Sequence, residues 1–208
     1  NILKIQNKEL TETLLTPDEP TPFVILNADA ILPVLLVCDH ASNRFPRSHG
    51  AMGLNYLDRV SHIALDIGAN AVAETLAENL GATAVLCQYS RLIVDCNREL
   101  VDDSAFVEYS DGVDVPGNHD LQESEKEKRA SEIYWPYHNT IKNQIVRLKK
   151  HGINPIVISI HSFTPVINGN DREWEIGVLW DKDPLTAEIF LSRLIEAGYV
   201  VGDNQPYS

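Results

Sequence analysis

Basic residues and long apolar runs are both scarce in this sequence. No apolar run approaches the roughly 18 residues that a membrane-spanning helix needs. The beginning of the chain, NILKIQNKELTETLL, lacks the basic-then-apolar order of a secretory signal. The 17 basic side chains stand against 30 acidic ones, and the formal charge of −13 repels phosphate backbones and anionic bilayers. We therefore predict a cytoplasmic protein that binds neither nucleic acid nor membrane.

Cysteine is also rare, with three residues in 208 and no C-x-x-C pair, which is typical of buried, reduced thiols. A hydrophobic share of 44% and a charged share of 23% are ordinary for a folded globular chain. Residues 1–30 contain three prolines and no sustained period, so we expect an irregular N-terminal arm there. Residues 31–208 are predicted to form a single domain.

The hydrophobic pattern predicts alternating strands and helices. Continuous apolar runs predict buried strands, and a period of 3.6 residues predicts helices. The strands are predicted at 33–38, 83–87, 91–96, 155–160 and 176–180, and the helices at 58–80, 123–150 and 184–197, with a kink or split at Pro136 and a long loop over 99–122. This order predicts a three-layer α/β/α sandwich with a mixed, largely parallel central sheet.

Two histidines follow buried strands directly: His40 follows 33–38, and His161 follows 155–160. Ligands of open α/β sheets bind beyond the carboxyl ends of the strands, so the pair predicts a metal site if the strands are neighbours. A catalytic zinc takes three protein ligands, and the candidates for the third are Asp39, Asn43 and Asp66. Asp66 has the better chemistry because a carboxylate binds zinc better than an amide. Taken alone, each of these residues is more typical of a solvated or hydrogen-bonded side chain.

The segment SRLIVDCNR at 90–98 admits two interpretations. If it is a strand, Arg91, Asp95 and Asn97 share one face, and Asn97 with Arg98 suits the carboxylate of an anionic substrate. The alternative is a solvated edge strand with an Arg91–Asp95 salt bridge. His138, which follows Trp135-Pro136-Tyr137, is on general grounds more typical of a satisfied core histidine than of a catalytic acid.

Several motifs together resemble the N-formylglutamate amidohydrolase family, in its branch with a CDHASN signature. Each motif alone is weak, but their order along nearly the whole chain is specific. They are CDHASNRFP (38–46), HIALDIGA (62–69), YSRLIVDCNR (89–98), SDGVDVPGN (110–118), PYH (136–138), SIHSFTP (159–165), IGVLW (176–180) and GDNQPYS (202–208).

The resemblance implies a fold similar to that of zinc carboxypeptidases, over an amidohydrolase-like domain at 31–208. It implies hydrolysis of the N-formyl or a related N-acyl amide of an acidic amino acid such as N-formyl-glutamate, a small-molecule substrate. Zinc, or another divalent metal, would activate the attacking water. The implied roles are metal ligation by His40, Asp66 and His161, catalysis by Arg91 and His138, and substrate binding by Asn43, Asn97, Arg98 and Ser162.

The resemblance also leaves alternatives open. The general base of the family is expected to be a glutamate in a strand after Ser208, and Glu108 and Glu175 are weaker substitutes. A zinc peptidase or deacylase that acts on other N-acyl amino acids is the alternative enzyme. A non-catalytic binder of acidic amino acids is the alternative from another class.

Overall fold

The computed structural model describes residues 13–167 and 170–206, which form two compact units: unit 1 within 1–163 and unit 2 within 164–208. Unit 1 contains β1 (Phe23–Leu26), β2 (Val34–Cys38), α1 (Tyr56–Arg59), α2 (Ala69–Leu80), β3 (Thr83–Cys87), β4 (Tyr109–Ser110), β5 (Val113–Asp114), α3 (Glu123–Arg129), α4 (Trp135–Lys150) and β6 (Ile156–Ser159). Unit 2 contains β7 (Val166–Ile167), β8 (Asn170–Asp171), β9 (Ile176–Val178), α5 (Pro184–Glu196) and β10 (Val201–Asp203).

The central sheet of unit 1 has the strand order β1-β3-β2-β6. Strand β2 pairs in parallel with both β3 and β6, whereas β1 pairs antiparallel with β3. This arrangement confirms the predicted mixed, largely parallel sheet. The strands predicted at 33–38, 83–87 and 155–160 are present. Strand β6, however, lies at the edge of the sheet, and Val157 is 45% exposed, so the predicted burial of this strand is wrong.

The core lies on both faces of this sheet. Side chains alternate along a strand, so each strand of the pair β2 and β3 contributes to both layers. One layer contains Leu36, Ala84 and Leu86 against the α2 residues Ala69, Ala73 and Ala77. The other contains Leu35, Val37, Val85 and Cys87 in one cluster with Ile133 and Tyr137. Helical segments therefore cover both faces of the sheet, consistent with a three-layer fold.

The helix predicted over 58–80 is shorter than expected. Helix α1 ends at Arg59, and residues 60–68 form turns before α2 begins at Ala69. Gly68, with φ of 83°, adopts a left-handed conformation that a helix interior does not allow, and it marks the start of α2. The prediction of one continuous helix over 58–80 is therefore wrong, and Asp66 lies in a turn.

The strand predicted at 91–96 is also absent, because this apolar segment folds into consecutive turns. The Ser90 hydroxyl accepts the backbone N–H of Leu92, and the Ser90 carbonyl accepts that of Ile93. These local bonds satisfy the backbone without a strand partner. Leu92 and Ile93 remain fully buried, which explains why their hydrophobicity indicated a strand.

The helical segment 123–150 consists of α3, a π-helical turn at Ala130–Tyr134, and α4. Pro136 lies in the first turn of α4, where its missing N–H is tolerated; the predicted kink or split takes the form of the π-helical turn just before it, and the residues at both junctions keep helical backbone angles. The loop predicted at 99–122 contains the β4–β5 hairpin and short 3-10 turns. In the predicted irregular arm, residues 1–12 lie outside the described residues, whereas residues 23–26 form strand β1 and correct the prediction there.

Unit 2 contains a parallel pair, β9 and β10, with α5 between them in the chain. The Asp183 side chain accepts the backbone N–H of Thr186 and caps α5, and Pro184 lies in its first turn. The strand predicted at 176–180 and the helix predicted at 184–197 are therefore present. Among the helices in the described part of the chain, none is long and apolar enough to cross a membrane.

Candidate metal centre

The two predicted histidines meet beyond the carboxyl ends of two neighbouring strands of the central sheet. His40 lies two residues after β2, and His161 lies two residues after β6, the strand that pairs with β2 in parallel. The centroids of their rings are 5.0 Å apart. The parallel pairing brings the carboxyl ends of both strands to the same edge, and the two imidazoles meet there.

Asp66 completes a three-residue group with these histidines. Its Oδ2 lies 2.8 Å from His161 Nδ1, and its Oδ1 lies 3.4 Å from His40 Nδ1. The backbone N–H of Asp66 donates to the His40 carbonyl, which fixes the turn at 60–68 beside β2. The backbone N–H of Ser162 donates to Asp66 Oδ2 at 3.2 Å. His40, Asp66 and His161 each offer one atom that could bind a metal ion, and these three atoms lie within 4.8 Å of one another.

A second carboxylate, that of Asp95, contacts the other ring nitrogen of His40. Asp95 Oδ1 lies 2.7 Å from His40 Nε2 and also accepts the backbone N–H of Asn97. Its Oδ2 accepts two bonds from the Arg91 guanidinium, at 2.8 and 3.2 Å. His40 and Asp95 are almost completely buried. The Asp95 carboxylate therefore fixes the orientation of His40, with Nδ1 directed at Asp66.

A third carboxylate, Asp39, lies 3.1 Å from His161 Nε2 through its Oδ2. Each imidazole thus has one nitrogen near Asp66 and the other near a different carboxylate. Metal-binding histidines in proteins commonly have this arrangement, in which the nitrogen that does not bind metal donates to a carboxylate.

The carboxylates of the cluster keep their charge. Burial opposes the ionised form of Asp66, but the hydrogen bonds and charges of His161 and His40 together outweigh burial and lower the Asp66 carboxyl pKa. The pKa values of Asp39 and Asp95 are lowered against burial in the same way, by contacts with His161 and His40 respectively. Burial alone would lower the pKa of His161, but hydrogen bonds to Asp39 and Asp66 raise it to about 9.

The charge balance and one unsatisfied atom fit a divalent cation. Imidazoles bind metal in their neutral form, and among the described residues three carboxylates of the cluster then face one guanidinium, that of Arg91, which leaves two negative charges for a divalent cation to balance. His40 Nδ1 is buried, and no group of the described residues hydrogen-bonds to it. A buried polar atom without a partner is costly unless another group satisfies it. Two imidazoles and one carboxylate are also a typical ligand set of catalytic zinc.

Comparison with known proteins identifies the family. The model of the N-formylglutamate amidohydrolase family matches residues 32–208. The chain belongs to this family. Membership implies an amidohydrolase enzyme, and it confirms the resemblance found in the sequence motifs.

Two solved structures are similar to this member of the N-formylglutamate amidohydrolase family. The gene product Atu2144 from Agrobacterium tumefaciens is 41% identical, with a TM-score of 0.90, over 93% of this chain and 77% of the other. An N-formylglutamate amidohydrolase from Ralstonia eutropha JMP134 is 18% identical, with a TM-score of 0.62, over 90% of this chain and 78% of the other, and this likeness shows the fold alone. None of the curated proteins matches the chain.

Other predicted site residues have partners outside the group of His40, Asp66 and His161. The Asn43 amide donates to the Arg59 carbonyl at 2.8 Å. His138 Nε2 lies 2.9 Å from the Cys96 carbonyl, and its ring contacts that of Tyr134. The substrate-binding role of Asn43 and the catalytic role of His138 therefore stay predictions.

Asn97 and Arg98 lie at the surface next to buried Asp95. Within the part of the chain that the structure describes, the Arg98 guanidinium donates only to the Asn97 carbonyl, so most of its donors face solvent. Arg91 contacts both Asp95 and Asp66, as the predicted Arg91–Asp95 salt bridge requires. The expected contacts of Arg91, Asn97 and Arg98 with substrate stay predictions.

The candidates for the general base lie in different units. Glu108 is exposed in unit 1, between the 3-10 turn at Asp103–Phe106 and β4. Glu175 lies in unit 2, where its carboxylate accepts the backbone N–H of Val200. The assignment of a base to either residue stays a prediction.

Sequence reasoning missed the contact of Asp95 with His40 and that of Asp39 with His161. Asp95 was expected on the polar face of a strand, and Asp39 was considered only as a metal ligand. One available signal was that Asp39 immediately precedes His40. Another was that Ser159 and His161 are two residues apart, which places them on one side of an extended segment.

Proposed function

We propose that this chain hydrolyses the N-formyl, or a related N-acyl, amide of an acidic amino acid such as N-formyl-glutamate, and that it uses a divalent metal, zinc in the first instance. The observation that carries the proposal is the group of His40, Asp66 and His161, with donor atoms within 4.8 Å and a buried, unsatisfied His40 Nδ1. Family membership supports the reaction class.

His40, Asp66 and His161 would hold the metal. When bound, zinc supplies a water of lowered pKa and polarises the carbonyl oxygen under attack. The residues of the chain supply the orientation, because Asp95 and Asp39 fix the two imidazoles and Arg91 fixes Asp95. Arg91 is 26% exposed, so part of its guanidinium is accessible, and we expect it to polarise the carbonyl of a bound substrate.

Asn97 and Arg98 would bind the carboxylate of the substrate. A guanidinium matches a carboxylate in shape and charge, and the neighbouring amide adds a donor. The hydrogen bond from the Asn97 backbone to Asp95 ties this pair to the residue that orients His40. Substrate recognition and the metal group are thus linked through a single buried carboxylate.

The test is a substrate series with the purified protein, after metal removal and again after addition of one equivalent of zinc. Release of free amine from N-formyl-glutamate, N-acetyl-glutamate and short peptides is measured for the wild type and for His161→Ala. We expect zinc-dependent hydrolysis of the N-formyl compound by the wild type and none by the variant. Hydrolysis of peptides alone would overturn the formyl assignment. Full activity without metal, or in the variant, would overturn the metal site.

A binding measurement distinguishes the enzyme from a non-catalytic binder. If the wild type holds no stoichiometric zinc and hydrolyses none of the compounds, yet still binds glutamate derivatives in calorimetry, the proposal fails and the chain is a binder. His119→Ala is a suitable control for the histidine substitution, because His119 pairs with Asp114 at the surface.

A further inference from the structure

Asp39 has three donors around its carboxylate and is 7% exposed. Its Oδ1 accepts the hydroxyl of Tyr137 at 2.9 Å, and its Oδ2 accepts the hydroxyl of Ser159 at 3.0 Å. The same Oδ2 lies 3.1 Å from His161 Nε2. These donors come from α4, from β6 and from the segment after β6, so the position of the carboxylate is fixed from several elements.

Both ring nitrogens of His161 face carboxylates, Nε2 that of Asp39 and Nδ1 that of Asp66. An ionised carboxylate only accepts hydrogen bonds, so Nε2 donates to Asp39 and would keep its hydrogen if a metal took the place of the hydrogen on Nδ1. The Ser159 hydroxyl donates to Asp39, and its oxygen, 3.0 Å from Nε2, accepts from the same N–H. In the neutral ring that would bind a metal, the lone pair is then on Nδ1, the nitrogen on the side of Asp66, 2.8 Å away.

His161 needs this support more than His40 does. The His40 side chain is 2% exposed and is enclosed by the core, whereas that of His161 is 31% exposed. Packing alone therefore leaves the His161 ring more freedom to rotate or to exchange its nitrogens. The contact with Asp39 removes that freedom.

We propose that Asp39, held by Tyr137 and Ser159, is a positioning residue that fixes the tautomer and orientation of His161 so that Nδ1 faces the metal. This inference rests on the proposed metal site, and it gives Asp39 the role of orienting one of the metal ligands without binding the metal itself. Loss of such an outer partner typically weakens metal affinity about 10–100-fold.

The test is Asp39→Asn, which keeps the size of the side chain but replaces one acceptor oxygen by a donor. Zinc affinity is measured by competition with a chromophoric chelator. Asp114→Asn is the matched control, because Asp114 also pairs with a histidine, His119, but at the surface. We expect the zinc dissociation constant to rise about 10–100-fold in Asp39→Asn and to stay within about threefold of the wild type in the control.

A second readout addresses the tautomer directly. Proton–nitrogen spectra of the zinc-loaded wild type are expected to show His161 protonated on Nε2 and bound to zinc through Nδ1. This measurement also decides the question if Asp39→Asn fails to fold. Tyr137→Phe removes one support of Asp39 and is expected to raise the zinc dissociation constant by about 2- to 10-fold.

The outcomes separate this inference from the proposed function. If the wild type binds no stoichiometric zinc, the metal site itself fails. If the wild type binds zinc but Asp39→Asn binds it equally well, or if His161 binds zinc through Nε2, the metal site stands and the role of Asp39 is overturned.

Discussion

Substitution of Asp66 by Asn tests how much the central carboxylate contributes to metal binding. Asp66 is 6% exposed and lies near a ring nitrogen of both His40 and His161. Asn preserves the shape of the side chain but removes its charge. A neutral amide is a poor zinc ligand, so the variant retains only the two imidazoles as good ligands.

The expected magnitude follows from linkage between binding and folding. Zinc at about 100 times the dissociation constant stabilises the folded protein by about 2.7 kcal/mol. For a chain of this size this corresponds to a rise in Tm of about 5–11 °C. If the substitution weakens binding about 100-fold, the same zinc concentration adds only about 0.4 kcal/mol, or about 1–2 °C.

The assay is thermal unfolding of the metal-free protein with and without zinc. Asp111→Asn is the control, because Asp111 pairs with His62 and its positive φ of 42° is a conformation that Asn tolerates. The control should show the full rise in Tm. An equally large rise in Asp66→Asn would refute the role of Asp66 as a ligand.

Three further predictions concern substrate, pH and stability. Arg98→Ala should raise KM for N-formyl-glutamate about 10- to 150-fold, because a charge-assisted contact of about 1.5–3 kcal/mol is lost. An unchanged KM in steady-state kinetics would contradict the substrate-binding role of Arg98. Asp39 and Asp66 raise the pKa of His161 to about 9 despite its burial. The charged form of His161 therefore stabilises the metal-free protein fully below about pH 6.5, and this stabilisation is lost as the pH rises towards 9. Zinc must displace that proton, so zinc affinity should rise by about tenfold per pH unit over this window, and a flat profile in chelator competition would contradict the assignment. Arg129 is 1% exposed and donates hydrogen bonds to four residues, Ile93, Asn118, Gly117 and Glu125. Arg129→Met should therefore lower the free energy of unfolding, measured by urea titration, by about 3–5 kcal/mol. A loss below about 1 kcal/mol would contradict the structural role of Arg129.

The strands of the central sheet were predictable because burial on both faces leaves a continuous apolar run. This holds for β2 and β3, which are buried except for half-buried Val34 and apolar except for Thr83. The same signal was misleading at 91–96, where the apolar residues are buried in turns closed by Ser90. Hydrophobicity indicates burial, and for a short segment it does not distinguish a strand from a turn.

The two histidines of the metal centre were predictable because parallel strands end at a common edge, a constraint that acts through topology. The partners of the imidazoles were not predictable in the same way. Asp95 reaches His40 only because the turns at 90–98 fold back towards β2, and that path depends on contacts such as Ser90 with Ala64. The family resemblance is confirmed, whereas the likeness to zinc carboxypeptidases stays a prediction.

Crystals of the zinc-loaded protein, with anomalous scattering recorded at the zinc absorption edge, test the central claim most directly. We expect one strong anomalous peak within about 2.0–2.2 Å of a ring nitrogen of His40, a ring nitrogen of His161 and a carboxylate oxygen of Asp66. A zinc-loaded crystal with no peak among these three side chains, or with its peak at other residues, would contradict the account.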